Sequence, residues 1–73
     1  MAHLRGDFLM ISHGDRVATL MAIRISAIDH VEDQPARSEG PRVEINGNLC
    51  SGTFEEVMGL LELHRSQARE IQL

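Results

Sequence analysis

The chain has 73 residues, enough for one domain and too few for two lobes with a cleft between them. Its 7 basic side chains are all arginine and stand against 11 acidic ones, a formal net charge of -4. Nucleic-acid binding is dominated by Lys and Arg neutralising phosphates, and single strands also need aromatic platforms; this chain has no Lys, Tyr or Trp, so nucleic acid is not an expected partner.

Apolar residues make up 42% of the chain, and the 6 glycines bring the figure to about half, the usual share for a soluble globular protein. A core of this size usually leaves about 3–5 kcal/mol of net stability. Cys50 is the only cysteine, so no internal disulfide can add to it, and a lone thiol fits a reducing compartment. Phe8 and Phe54 are the only aromatics, which leaves the core to Leu, Ile, Val and Met. Subunit association is the remaining common source of stability. No apolar run approaches the roughly 18 residues of a membrane span; the longest, residues 17–23, contains Thr19 and stops at Arg24. The run at residues 8–11 is too short for a signal peptide. A cytoplasmic location without membrane insertion is expected.

In chain order, residues 8–11 form an apolar run ahead of Ser12-His13-Gly14-Asp15, which predicts a strand entering a hairpin turn. Residues 17–23 predict a second strand, covered on both faces because the run is nearly continuous. Ser26 favours a turn. Residues 28–33 predict a third strand with Ile28, His30 and Glu32 on one face. Residues 34–41 carry Pro35, Ser38, Gly40 and Pro41 and predict a mobile exposed loop.

Residues 42–45 alternate polar with apolar before Asn46-Gly47, the strongest short signal for a type I′ hairpin. A two-residue loop there sets Ile45 opposite Asn48, Glu44 opposite Leu49 and Val43 opposite Cys50, which buries Val43, Ile45 and Cys50 on one face. Thr53-Phe54-Glu55-Glu56 matches a capping box and predicts a helix over residues 54–70. Glu55 and Glu56 in the first turn, with Arg65 and Arg69 towards the end, complement its dipole. The predicted fold is α+β: a single domain in which an antiparallel sheet of four or five short strands carries one C-terminal helix.

On a wheel of about 100° per residue, Phe54, Val57, Met58, Leu61 and Ala68 fall within about 60° of one line. Leu60, His64 and Ile71 widen the arc to about 120° on one flank, and Leu63 stands almost opposite. A helix on a small sheet needs an apolar stripe of little more than about 100°. Either the flank packs on a second copy of the chain, with Leu60, Leu63, His64 and Ile71 as the interface, or it rests under the N-terminal arm or stays partly exposed.

Catalysis is not expected. His3, His13, His30 and His64 show no His or Cys partner at zinc-ligand spacing, so no metal site or cofactor is predicted. Ser26, Asp29 and His30 crowd into five positions and cannot converge as a triad. Cys50 is expected to face the core, where a thiol is inert. The carboxylates read as solvated faces and a helix N-terminus rather than as an acid and base held in a pocket. The expected function is a non-catalytic protein–protein interaction module or accessory subunit, homo-oligomeric, with contacts through the helix flank or an open sheet edge. The alternative is a small-ligand or anion-binding regulator using Ser51, Gly52 and Thr53, whose backbone amides precede the helix; Glu55 and Glu56 oppose it.

The strand, glycine turn and strand, followed by Ile25-Ser26-Ala27-Ile28-Asp29-His30-Val31-Glu32, Val43-Glu44-Ile45-Asn46-Gly47 and Thr53-Phe54-Glu55-Glu56-Val57, resemble the small FlbD-type flagellar-operon proteins over most of the chain. The resemblance implies a short sheet with an Asn-Gly hairpin and a following helix, and teaches architecture rather than activity. The segment at residues 34–41 is longer here, and the strand after Asn46-Gly47 shorter.

Overall fold

The computed structural model describes residues 2–71, and side chains as far as residue 68. Its elements are β1 (His3–Arg5), β2 (Phe8–His13), β3 (Leu20–Arg24), a 3-10 turn (Ile25–Ala27), β4 (Val31–Arg37), β5 (Gly40–Ile45), β6 (Asn48–Ser51) and α1 (Phe54–Ile71). The six strands form one open antiparallel sheet with the order β1-β2-β6-β5-β4, and β3 also pairs with β2. The α+β class is as expected. Because β3 pairs with β2 from Phe8 to Ser12, β1 and β6 share the opposite edge of β2.

The β5–β6 hairpin has the register that its turn dictates: Val43 opposite Cys50, Glu44 opposite Leu49 and Ile45 opposite Asn48. Asn46 and Gly47 both take positive φ, 50° and 83°, as type I′ requires. The Asn46 side chain does more than turn the chain. Its Oδ1 accepts from the amides of Asp29 and His30 at 2.9 and 3.1 Å, and its Nδ2 donates to the Ala27 carbonyl at 2.7 Å. The hairpin tip thereby fixes the segment that leads into β4.

Three sequence expectations are corrected. Residues 3–5 form β1, an added strand, because Gly6 at φ 58° closes a two-residue hairpin that sets Arg5 opposite Phe8. Residues 17–19 belong to the β2–β3 connection, and β3 buries one face only: Leu20, Ala22 and Arg24 are exposed, while Met21 and Ile23 are half-buried. Residues 34–41 are no loop. β4 runs through Pro35 to Arg37, turns at Ser38-Glu39 and returns as β5. The breakers are tolerated because β4 is an edge strand and the register shifts between Gln34 and Arg37, so no ladder bond is required of Pro35. Of the predicted third-strand face, His30 and Glu32 share one side, while Ile28 precedes the strand and packs against the core.

The core lies between the sheet and α1. Leu9, Ile11, Val43, Ile45, Cys50 and Val57 are fully buried, with Phe54, Leu60 and Leu61 packed against them from the helix. Thr53 caps the helix, its Oγ1 accepting from the Glu56 amide at 3.0 Å. The reciprocal half of the predicted capping box is absent among the described residues.

One charged side chain is buried with the core residues. Arg42 is 1% exposed, and its guanidinium donates to the carbonyls of Gly14 (3.0 Å), Gly40 (3.2 Å) and Pro41 (2.9 Å). Gly14 in turn donates its amide to the Leu49 carbonyl at 2.8 Å. The β2–β3 connection is thus clamped onto β5 and β6.

Candidate interaction surface

Two residues of the helix flank predicted as an interface make contacts within the chain's own fold. Leu60 packs against the core, and His64 Nε2 lies 3.2 Å from Asp7 Oδ1 at the tip of the β1–β2 hairpin. The unforeseen β1 supplies this cover, since Ala2 and Leu4 also pack on the core. Met58, placed by the wheel in the sheet-facing stripe, is instead exposed, and Leu63 is 49% exposed. The buried stripe is therefore rotated towards the Leu60 flank. The Ile71 side chain lies outside the described residues. Of the predicted interface residues whose side chains are described, Leu60 packs against the core, His64 is half-buried beside Asp7 and Leu63 is exposed.

In the turn before α1, the Gly52 amide and the Thr53 hydroxyl already have partners within the chain. Ser51 is paired within the sheet with Ser12 and Arg42, and the Gly52 amide donates to the Pro41 carbonyl at 3.1 Å. Thr53 Oγ1 is occupied by the cap, and a Cβ at Gly52 would lie 3.0 Å from Glu56 Oε1. A carboxylate thus stands where an anion would sit.

Cys50 is buried, and its Sγ donates to the Asn48 carbonyl at 3.4 Å. Burial pushes the thiol up from 9.0 to about 11, partly opposed by a backbone hydrogen bond at Ile45. The folded chain holds this proton more tightly than the unfolded chain. Its contribution to stability is therefore complete below about pH 9 and declines as pH rises towards 11. At about 1.4 kcal/mol per unit, the expected loss is about 2–3 kcal/mol. No Lys or Tyr titrates in that window, so urea midpoints across it report on this one side chain. Cys50→Ala should flatten the dependence, and a wild-type midpoint that stays constant would refute it.

Sequence spacing missed a polar cluster on the sheet face away from α1. His30, Glu32 and Glu44 bring one donor atom each within 4.8 Å of one another. Glu32 and Glu44 are direct cross-strand partners, a like-charge pairing that is unfavourable unless offset. His30 Nε2 at 3.0 Å and Gln34 Nε2 at 3.0 Å satisfy the Glu32 carboxylate. The signal lay in the alternation of His30 with Glu32, but the β4–β5 register that adds Glu44 is a tertiary fact. His30 and Glu32 are exposed and hydrogen-bonded to each other, while Glu44 is half-buried beside them.

Two hollows flank the fold. One, of about 330 Å³, runs between the 3-10 turn and α1 and is lined by Ile25, Ser26, Ile28, Leu61, His64 and Arg65, together with Ala68. Ser26 and His64 both line it, with no hydrogen bond between them among the described residues. The other, of about 370 Å³, lies on the outer sheet face between Arg5, Gly6, Phe8, Met10 and Ala22. Arg24 stacks over the Phe8 ring at 5.0 Å from its centroid. Leu20 and Val17 are 52% and 49% exposed, and Leu20 stands on the same outer face, two residues beyond Ala22. This half of the outer face gathers Phe8, Met10, Leu20 and Ala22 with the two arginines Arg5 and Arg24 and no acid among these residues, whereas the half built by β4 and β5 carries Glu32, Gln34 and Glu44.

Among the described residues, no helix is long and apolar enough to cross a membrane. No protein-family model, curated protein or solved structure matches this chain.

Proposed function

We propose that this protein is a non-catalytic interaction module that associates with itself through the β1–β2–β3 end of its sheet. The observation that carries this reading is the apolar outer face of Phe8, Met10, Leu20 and Ala22 beside an open strand edge. Apolar side chains beside an unpaired edge, among them Leu20 at 52% exposure, mark contact sites. A domain of this length with no disulfide also has the most to gain from association. The buried thiol with its raised pKa and the absence of a coupled Ser–His pair among the described residues support a binding role over a chemical one.

Sedimentation equilibrium of the full chain tests the proposal. The wild type is expected at twice the chain mass in the micromolar range. Leu20→Arg, which places a charge on the outer face without touching the core, is expected at the mass of a single chain with an unchanged fold. A wild type that sediments as one chain at every concentration rules the reading out. Leu60→Glu would not serve here, because Leu60 packs against the core and its loss acts on folding.

A further inference from the structure

Resting on the self-association reading, we infer that two copies join by antiparallel pairing of β3 with β3 about a two-fold axis at Ala22. The backbone directions define the free edge. The His13 amide donates to the Thr19 carbonyl and the Ile25 amide to the Asp7 carbonyl. With the register Leu9–Ile23 and Ile11–Met21, the odd residues of β3 are the ones bonded to β2. The N–H and C=O groups of Leu20, Ala22 and Arg24 therefore point away from the sheet, where no strand among the described residues pairs with them.

The opposite edge is built differently. The Asn46 amide donates to the His30 carbonyl, and the β4–β5 register continues through Glu32–Glu44 and Gln34–Arg42. The outward groups of β4 are then those of Val31, Asp33 and Pro35, and Pro35 has no N–H to offer. Proline, a register shift and charge are the features by which sheets block edge pairing. β4 has all three, with Glu32, Asp33 and Arg37 as the charges. β3 is Leu-Met-Ala-Ile-Arg, with no acid, no proline and no bulge.

The β3 edge is also complementary to itself. An axis at Ala22 sets Ala22 against Ala22 of the partner subunit and Leu20 against the partner's Arg24. All three outward residues then fall in hydrogen-bonded pairs. The smallest side chain sits on the axis. Leu20 meets the aliphatic stem of the partner's Arg24, which keeps its charge in water. Met21 and Ile23, half-buried in one copy, meet Ile23 and Met21 of the partner subunit on the helix side. The two arginines lie at opposite ends of the junction, so the net charge of -4 on each chain is not focused there. Such an isologous contact closes after two copies.

Two variants of the full chain test the pairing. Ala22→Pro deletes the outward N–H at the axis but no bond to β2, a position where proline is tolerated. It is expected to keep the wild-type far-UV spectrum and to weaken dimerisation at least about tenfold. Ala22→Cys is expected to cross-link between chains under mild oxidation, because Cα atoms of a hydrogen-bonded pair lie about 5.5 Å apart, within disulfide range. Arg37→Cys on the β4 edge should not. A dimeric wild type whose Ala22→Pro variant still dimerises and whose Ala22→Cys variant fails to cross-link overturns the β3 pairing and leaves self-association standing. A wild type found only as single chains overturns both and hands the open edge to a strand from a different protein. If Ala22→Pro fails to fold, the cross-link alone decides.

Discussion

Gly14→Ala is expected to cost about 3 kcal/mol, the upper end of what overpacking a well-filled site does. A Cβ at Gly14 would lie 2.6 Å from Leu49 Cγ and 2.9 Å from both the carbonyl carbon and oxygen of Leu49. The side-chain contact could be relieved by a rotamer change, but the backbone contacts could not. Relief there means stretching the 2.8 Å bond from the Gly14 amide to the Leu49 carbonyl or moving β6, whose neighbour Cys50 is buried in the core. Set against a net stability of about 3–5 kcal/mol, this is most of what the domain has. The melting midpoint should fall by roughly 10–20 °C. A urea midpoint within about 0.5 kcal/mol of the wild type would mean that the loop slides over β6 without resistance.

Arg42→Met should cost about 2–3 kcal/mol, and the sign needs argument. A buried charge is expensive, and replacing one with an apolar isostere is sometimes stabilising. Here the guanidinium has little direct ionic compensation, with Glu39 Oε1 3.7 Å from Nη2, an atom that makes no hydrogen bond among the described residues. What holds Arg42 is the set of three carbonyls, Gly14, Gly40 and Pro41; methionine would take the guanidinium donor from all three, and only Pro41 would keep another, the Gly52 amide. Each unsatisfied buried acceptor costs about 1–3 kcal/mol, and that outweighs the desolvation regained. Arg42→Lys should recover only part of the loss, because an ammonium cannot reproduce the fork. Chemical denaturation of the three proteins checks the order wild type, Lys, Met. Because Arg42 Nε bonds the Gly14 carbonyl, the Gly14→Ala, Arg42→Met double variant should lose less than the sum of the singles. Strict additivity would show that the two residues do not belong to one clamp.

Both residues escaped sequence reasoning for the same reason. Arg42 reads as the polar member of an alternating strand, and Gly14 as one more turn glycine. Their roles arise from contacts that cross from the β2–β3 connection to β5 and β6. The segment at residues 34–41 misled in the opposite way. Its prolines and glycine signal a break, but Pro35 lies in an edge strand with a register shift and Gly40 and Pro41 are the first residues of β5, and neither placement is written locally. The helix shows where periodicity stops being informative. The wheel located the apolar residues of α1, yet an arc that wide can be turned towards the sheet in more than one way. The choice that exposed Met58 and covered Leu60 came from β1 and from the His64–Asp7 contact, whose partners are 57 residues apart.

The features legible in the residues alone are those whose interactions close within a few positions. Asn46-Gly47 set the β5–β6 register and with it the burial of Val43, Ile45 and Cys50, and Thr53 set the start of α1, because turn dihedrals and a cap bond involve immediate neighbours. The face that α1 presents, the burial of Arg42, and the contrast between a guarded β4 edge and an open β3 edge depend on which distant segment arrives to cover each group. Local chemistry has no term for that, and the packed sheet supplies it.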